Sequence, residues 1–147
     1  MKTIFFFGGG RLLAFINEEI NKKKYKKSIK QIVVLSKRHA NEKIYKNLTF
    51  KKYLKIRNIK FIVLNKITKK FLNKIPKNSI GVSFGASWIF KKEFISFFRK
   101  RIYNVHGSNL PEDRGGAGIS WQILMGKKTL TSTIHFLKPG IDKGEII

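Results

Sequence analysis

The chain has 147 residues, of which 42% are hydrophobic and 27% charged, the composition of one globular domain rather than a disordered segment. The absence of cysteine excludes disulfides and cysteine-bound zinc, and it agrees with the cytoplasmic location that we expect. The N-terminal apolar run is too short for a secretion signal, and no stretch approaches the ~18 apolar residues of a membrane-spanning helix, so no membrane partner is expected.

The net charge of +24 raises the question of a nucleic-acid partner. Residues 1–103 carry a net charge of +23, whereas residues 104–147 carry +1. Lysine, asparagine, isoleucine and phenylalanine are all abundant, and AT-rich codons encode all four. A solvated lysine surface is therefore favoured over a dedicated RNA-binding face, although tRNA stays open as a partner.

Stretches with high strand propensity alternate with stretches of helical periodicity along the chain. Strands are predicted at 3–7, 31–35, 60–64, 79–83, 101–105 and 131–137. Helices are predicted at 12–20, 40–47, 88–98 and 119–125. This alternation is typical of βαβ units and predicts an α/β fold, a three-layer Rossmann-like domain with a mostly parallel sheet.

Three glycines, Gly8 to Gly10, stand between the first strand and the first helix. A phosphate could bind at such a helix N-terminus, but residue 13 is leucine, so the G-x-G-x-x-G spacing is incomplete. A tight turn from strand to helix is the favoured role of these glycines.

Asn104, His106 and Asp142 are the candidate catalytic residues. An amide, an imidazole and a carboxylate are groups that suit acyl transfer to an amine. Asn104 and His106 are two residues apart, so on a strand their side chains point to the same face. A loop with glycine and proline follows at once, where the carboxyl end of a strand commonly opens into a ligand crevice.

Four separated motifs carry a family resemblance. They are N-V-H-G-S-N-L-P-E-D-R-G at 104–115, W-Q-I-L-M-G at 121–126, T-I-H at 133–135 and D-K-G-E-I-I at 142–147. In this order and spacing they resemble the folate-dependent formyltransferases, a family that includes glycinamide ribonucleotide, methionyl-tRNA and sugar-nucleotide N-formyltransferases. The resemblance implies a formyltransferase catalytic domain over residues 1–147, with 10-formyltetrahydrofolate as formyl donor and an amine as acceptor.

The resemblance also implies the roles of individual residues. Asn104 would donate a hydrogen bond to the oxyanion, His106 would act as general acid, and Asp142 would keep the histidine charged or accept the amine proton. Arg114 would orient an anionic acceptor. The folate-binding residues would be Trp88, Ile89, Phe90, Ser108, Asn109, Leu110, Pro111 and Gly140. No metal is needed for this chemistry.

The remaining histidines and aromatic residues are assigned structural roles. His135 lies in a predicted strand with period-two alternation, and a structural role is favoured over catalysis. His39 is expected on the surface. Trp121 and the phenylalanines between 94 and 98 are expected in the core.

Several functional alternatives stay open. We expect the acceptor to be a small amine, and the His106-Gly-Ser108 sequence favours a sugar nucleotide. Glycinamide ribonucleotide and methionyl-tRNA are the alternatives. The family's catalytic fold continues beyond the D-x-G motif, so we expect a fragment or a truncated gene rather than a naturally short product, incomplete at its C-terminus. An inactive remnant or a binding module is the alternative from another functional class. The sequence does not indicate the oligomeric state.

Overall fold

The computed structural model describes residues 1–147 and contains eight strands and seven helices. The strands are β1 (Lys2–Gly8), β2 (Ile29–Leu35), β3 (Lys43–Tyr45), β4 (Leu48–Thr49), β5 (Phe61–Val63), β6 (Ile80–Phe84), β7 (Ile102–His106) and β8 (Thr133–Phe136). The helices are α1 (Arg11–Ile20), α2 (Lys23–Lys26), α3 (Lys37–Asn41), α4 (Phe50–Ile56), α5 (Lys69–Leu72), α6 (Lys92–Phe98) and α7 (Gly118–Leu124).

Six strands form one sheet in the order β5-β2-β1-β6-β7-β8. All neighbouring strands are parallel except β7 and β8, which are antiparallel. The predicted α/β fold with a mostly parallel sheet is therefore confirmed. The change of direction at β8 matters for the site, because it brings a late segment of the chain back along β7.

Side chains of the central strand β1 alternate between two hydrophobic cores. Phe6 packs in one core with residues of α1, α3 and α4, including Leu13 and Phe50. Phe5 and Phe7 pack in the other core with residues of α5 and α6. Helices thus cover both faces of the sheet, which gives the three layers expected for a Rossmann-like domain. No helix is long and apolar enough to span a bilayer.

The region between β2 and β5 differs from the prediction of one helix over 40–47. Helix α3 begins earlier, because the Ser36 side chain caps it by accepting a hydrogen bond from the His39 backbone N–H. A short antiparallel hairpin, β3 and β4, then occupies most of the predicted helix. Helix α4, which the sequence analysis missed, begins after Thr49. The Thr49 side chain caps this helix by accepting a hydrogen bond from the Lys52 backbone N–H.

The predicted helix over 88–98 is also shorter in the structure. Helix α6 starts only at Lys92, and residues 88–91 form a connection between β6 and α6. The phenylalanine prediction is confirmed for the residues that face the sheet, since Phe94 and Phe98 are buried. The non-helical connection frees Trp88 to Phe90 to line a cavity.

His39 is buried, so the expectation of a surface position was wrong. Its ring packs against Gly9, where an added Cβ would lie 2.5 Å from the His39 Cδ2 atom. An added Cβ at Gly8 would lie 1.8 Å from the Phe84 carbonyl oxygen, and Gly8 has a φ of 144°. The predicted tight turn is confirmed, because β1 ends at Gly8 and α1 begins at Arg11, and the two close approaches exclude a side chain at Gly8 and Gly9.

Burial lowers the pKa of His39 from its ordinary value of 6.5. The negative charge of Glu42 partly opposes this lowering of the pKa, and the positive charge of Arg38 adds to it. The unfolded chain therefore binds a proton at a higher pH than the folded chain does. Stability is expected to fall as the pH drops below about 6.5, where only the unfolded histidine readily protonates.

Replacing His39 by glutamine is expected to reduce this pH dependence. Urea unfolding of the wild type and the variant at pH 7.5 and pH 5.5 would measure the change in unfolding free energy. Both proteins keep His106 and His135, so the difference between them reports on His39. Equal losses of unfolding free energy in the wild type and His39→Gln would contradict the assignment.

Phe7 is fully buried and makes edge contacts with the rings of Phe90, Phe94 and Phe98 at 5.0–6.0 Å between centroids. Phe7→Ala is expected to cost roughly 3–5 kcal/mol of unfolding free energy, because it leaves a cavity and removes these contacts. Phe15→Ala, at a residue that is 54% exposed, is the matched control and should cost far less in the same denaturation experiment. Similar losses in both variants would contradict the packing role of Phe7.

Candidate active site

Strand β7 brings Asn104 and His106 to the carboxyl end of the parallel sheet. In the sheet register Asn104 pairs with Ser83 of β6 on one side and with His135 of β8 on the other. His106 pairs with Thr133 of the same antiparallel strand. The T-I-H segment therefore lies directly beside the N-V-H segment, although 27 residues or more separate them in the chain.

Asp142 completes this cluster from the loop that follows β8. The Asn104 Nδ2 atom donates to Asp142 Oδ1 at 3.3 Å. Asp142 Oδ2 lies 3.5 Å from the Nδ1 atom of His106, and Oδ1 lies 3.6 Å from the Nε2 atom of His135. The structure thus brings the three predicted catalytic residues together, with one carboxylate in the middle.

Hydrogen bonds from Arg114 and Gly115 hold Asp142 in position. The Gly115 N–H donates to Asp142 Oδ2 at 3.0 Å, and Arg114 Nε donates to the Asp142 carbonyl oxygen at 3.2 Å. Asp142 itself has a φ of 49°, in the left-handed region that aspartate tolerates better than most residues. Gly144 allows the loop to return against β8, because a Cβ there would lie 1.5 Å from the Phe136 carbonyl oxygen.

His135 belongs to the cluster, a position that the sequence analysis missed. Its side chain is 1% exposed, and its Nδ1 lies 2.8 Å from the Phe136 carbonyl oxygen. A carbonyl only accepts, so Nδ1 carries a proton, and in the neutral ring Nε2 accepts the hydrogen bond from Asn104 Nδ2 at 3.1 Å. The available signal was the T-I-H motif, but only the antiparallel register places its histidine opposite Asn104.

His106 is nearly buried and faces an acceptor at each ring nitrogen. Nε2 donates to the Asp113 carbonyl oxygen at 2.9 Å, while Nδ1 faces the Asp142 carboxylate. The Ser108 hydroxyl donates to the same Asp113 carbonyl at 2.6 Å. A doubly protonated imidazolium would therefore have an acceptor for both of its protons.

Gln122 fixes the loop between β7 and β8 and was also missed by the sequence analysis. Its buried amide donates to the carbonyls of Gly107 and Thr131, and its oxygen accepts from the backbone N–H and hydroxyl of Thr131. Because α7 turns Gln122 toward the sheet, its neighbour Trp121 is 57% exposed. The expectation that Trp121 lies in the core was wrong for this reason.

A cavity of about 660 Å³ opens beside the cluster. Trp88, Ile89 and Phe90 line one part of it, and Gly140, Ile141 and Asp142 line another. Asn104, His106 and Gly107 lie on its wall. The volume of the cavity and its mixture of apolar and polar lining residues are typical of a binding site for a cofactor-sized ligand.

Four residues that were predicted to bind folate do not line this cavity: Ser108, Asn109, Leu110 and Pro111. Ser108 and Leu110 are buried instead: the Ser108 carbonyl accepts from the Thr133 hydroxyl, and that hydroxyl oxygen accepts from the Leu110 N–H. These hydrogen bonds tie the segment to Thr133 at the start of β8. Arg114 is exposed beside Asp142, with its Nε committed to the loop.

No group of three or more histidine, aspartate or glutamate side chains is arranged to hold a metal ion. The cluster instead consists of mutual donors and acceptors. The family model described as Formyl transferase matches residues 1–147. The chain belongs to the formyl transferase family.

Curated formyl transferase relatives are similar over the parts they share with the chain. The bifunctional polymyxin resistance protein ArnA of Wigglesworthia glossinidia brevipalpis is 30% identical over 111 residues, covering 74% of the chain and 17% of that protein. The methionyl-tRNA formyltransferase of Bacillus subtilis is 38% identical over 79 residues, covering 54% of the chain and 24% of that protein. The aligned region spans about a quarter or less of these relatives.

Solved formyl transferase structures share the fold. Glycinamide ribonucleotide transformylase 1 from Geobacillus kaustophilus matches all of the chain and 80% of its own, with a TM-score of 0.73 and 18% identity. A sugar 3N-formyl transferase, determined in the presence of dTDP and 5-N-formyl-THF, matches all of the chain and 50% of its own, with a TM-score of 0.67 and 22% identity. At these identities the similarity establishes the fold.

The hydrogen bonds of His135 predict its tautomer. In the neutral ring Nδ1 is expected to carry the proton, because Phe136 offers an acceptor there and Asn104 offers a donor at Nε2. Long-range ¹H–¹⁵N correlation spectra of the neutral ring would separate the two nitrogens and show which of them carries the proton. A protonated Nε2 in the neutral ring would contradict the proposed orientation of the Asn104 amide.

Proposed function

We propose that the chain carries the catalytic site of a folate-dependent N-formyltransferase, which transfers a formyl group from 10-formyltetrahydrofolate to an amine. The observation that carries this proposal is the contact of one carboxylate, Asp142, with Asn104, His106 and His135 at the wall of the cavity. Family membership supports the reaction class. The sugar 3N-formyl transferase with 5-N-formyl-THF supports a folate as the donor.

The proposed folate site is the part of the cavity between two loops. The aromatic walls at Trp88 and Phe90 suit the flat pterin ring, and the backbone groups of residues 88–90 and 140–142 can pair with its polar edge. This arrangement would place the N10 formyl group near Asn104 and His106. Ser108 to Pro111, predicted as folate contacts from the family resemblance, are left out of the site because they lie outside the cavity.

In the proposed reaction the acceptor amine attacks the formyl carbon to give a tetrahedral intermediate. The bond from that carbon to N10 then breaks, N10 gains a proton, and the amine nitrogen loses one, so that tetrahydrofolate and a formamide are released. Asp142 is placed to accept the amine proton, directly or through water, and His106 to return a proton to N10. Asp142 Oδ2 lies 3.5 Å from His106 Nδ1 and the Asp113 carbonyl oxygen lies 2.9 Å from Nε2, so both protons of the charged imidazole that this second step requires have an acceptor.

The Asn104 amide would stabilise the oxyanion, but it has to change partners to do so. Both of its hydrogens have acceptors inside the cluster, namely His135 Nε2 and Asp142 Oδ1. Once Asp142 takes up a proton it becomes a weaker acceptor, which would release one amide hydrogen to the oxyanion. Proton transfer to Asp142 and stabilisation of the intermediate would thus be coupled.

For the acceptor we propose the amine of a nucleotide-linked sugar. The similarity to sugar-acting structural neighbours supports it, together with His106-Gly-Ser108, while the exposed guanidinium of Arg114 is available for an anionic group of the acceptor. Methionyl-tRNA is the second candidate, favoured by the similarity to methionyl-tRNA formyltransferases and by the net charge of +24.

The reaction can be tested with 10-formyltetrahydrofolate and a panel of acceptors: nucleotide-linked amino sugars, glycinamide ribonucleotide and methionyl-tRNA. Tetrahydrofolate release is expected with one acceptor class only. His106→Ala and Asp142→Asn are each expected to lower kcat at least roughly 10²-fold, the scale of general acid–base contributions. Glu112→Gln, at an exposed carboxylate outside the cavity, is the matched control and should keep the wild-type rate.

Full activity of either site variant would refute the assigned roles. Binding of folate without turnover of any acceptor would instead favour an inactive remnant or a binding module. Acceptor binding that weakens steeply with salt and is limited to tRNA would favour the methionyl-tRNA reaction.

A further inference from the structure

Ser83 of β6 is a buried polar residue that the proposed reaction does not use. Its side chain lines the cavity of about 660 Å³, although the residue is only 3% exposed. None of the hydrogen bonds around Asn104 and His106 uses its hydroxyl, and no other protein group pairs with it. The equally buried hydroxyl of Ser108, in contrast, donates to the Asp113 carbonyl oxygen. A hydroxyl removed from water without a hydrogen bond is destabilising, so a ligand that pairs with Ser83 would offset this cost.

The register of the sheet places Ser83 beside the catalytic cluster. Ser83 pairs with Asn104 of β7 on one side and with Phe7 of β1 on the other. Register partners in parallel strands present their side chains on the same face of the sheet, and neighbouring strands lie about 4.8 Å apart. Ser83 therefore shares a cavity wall with Asn104, one strand closer to the centre of the sheet.

Apolar side chains surround this part of the cavity. Phe90 lines it and makes an edge contact with the Phe7 ring, with 5.8 Å between the centroids. Ile95 and Leu137 also line the cavity, and both pack against the hydrophobic core that contains Phe7. A phosphate or carboxylate would lose its hydration here without gaining a cation, which is costly. A flat ring with apolar faces and polar atoms at its edge suits both the walls and the single hydroxyl.

We propose that the Ser83 hydroxyl forms a hydrogen bond with N5 of the reduced pterin ring of the folate donor. The inference rests on the proposed folate site. In 10-formyltetrahydrofolate, two carbon atoms separate N5 from N10, the nitrogen that carries the formyl group. With the formyl group at Asn104, N5 therefore lies within about one strand spacing of Asn104, which is the distance to Ser83. A hydroxyl can donate to the lone pair of N5 or accept from its N–H.

This contact makes Ser83 a specificity-determining residue for the donor. A ring with carbon in place of N5 has the same shape, but it cannot pair with the hydroxyl and leaves it unsatisfied. The same hydrogen bond would fix the rotation of the ring between residues 88–90 and 140–142, and so direct the N10 formyl group toward Asn104 and His106.

Isothermal titration calorimetry of the 147-residue chain under anaerobic conditions tests the contact, with tetrahydrofolate and 5-deazatetrahydrofolate as ligands. The wild type is expected to bind tetrahydrofolate about 3- to 10-fold more tightly, the scale of one neutral hydrogen bond. Ser83→Ala should lower the affinity for tetrahydrofolate by the same factor. It should leave the affinity for 5-deazatetrahydrofolate within about 2-fold of wild type, because the two changes remove the same interaction.

Ser79→Ala is the matched control. Ser79 immediately precedes β6, is 1% exposed and has an Oγ atom without a partner, but it lies outside the cavity. The two variants thus remove the same atom from buried, unpaired serines at opposite ends of one strand. Ser79→Ala should keep both affinities within about 2-fold of wild type. Circular dichroism of each variant checks that it is folded.

Equal wild-type affinities for the two ligands would overturn the contact with N5 and leave the proposed folate site standing. The same holds for equal losses of both affinities in Ser83→Ala, or for a comparable loss in Ser79→Ala. A Ser83→Ala chain that keeps both affinities but transfers formyl more slowly would place the hydroxyl at the formyl oxygen, and the proposal would be wrong. Failure of the wild type to bind either ligand would refute the proposed folate site as well.

Discussion

The carboxylate of Asp142 is the interaction on which the rest of the site depends. Its two oxygens contact an amide, two imidazoles and a backbone N–H that come from separate segments of the chain. A nearly buried carboxylate is costly unless donors surround it, so the loop after β8, the loop after β7 and strand β8 are each held in place by the same group. The antiparallel pairing of β7 with β8 makes this possible, since it sets His135 opposite Asn104.

The cluster and the charge of the protein occupy different parts of the molecule. The segment from residue 104 onward is almost neutral, and it forms a set of mutually satisfied donors and acceptors at the carboxyl end of the sheet. Most of the lysines lie in the first 103 residues, and four of them line a surface groove together with residues of α5 and α6.

Much of the fold was predictable because the hydrophobic pattern is strong along the sheet strands. The alternation of Phe5, Phe6 and Phe7 between two cores required a strand covered on both faces, and the βαβ order then fixed a mostly parallel sheet. The prediction was wrong where side-chain caps decide the structure. Ser36 and Thr49 start helices that a polar lysine-rich pattern does not reveal, and the hairpin between them depends on packing against α1 and α4.

For the site, the sequence by itself determined the chemical groups: Asn104, His106 and Asp142 stand in recognisable motifs, and their types alone indicate acyl transfer to an amine. Only the tertiary structure decided which groups share a hydrogen-bond network. His135 joins the Asp142 cluster and Gln122 holds the neighbouring loop, because strand register and the facing side of α7 are set by contacts between distant segments. Ser108 reaches the cluster only through the Asp113 carbonyl that it shares with His106. Residue type limits what chemistry is possible, whereas long-range packing selects the few side chains that face the same cavity.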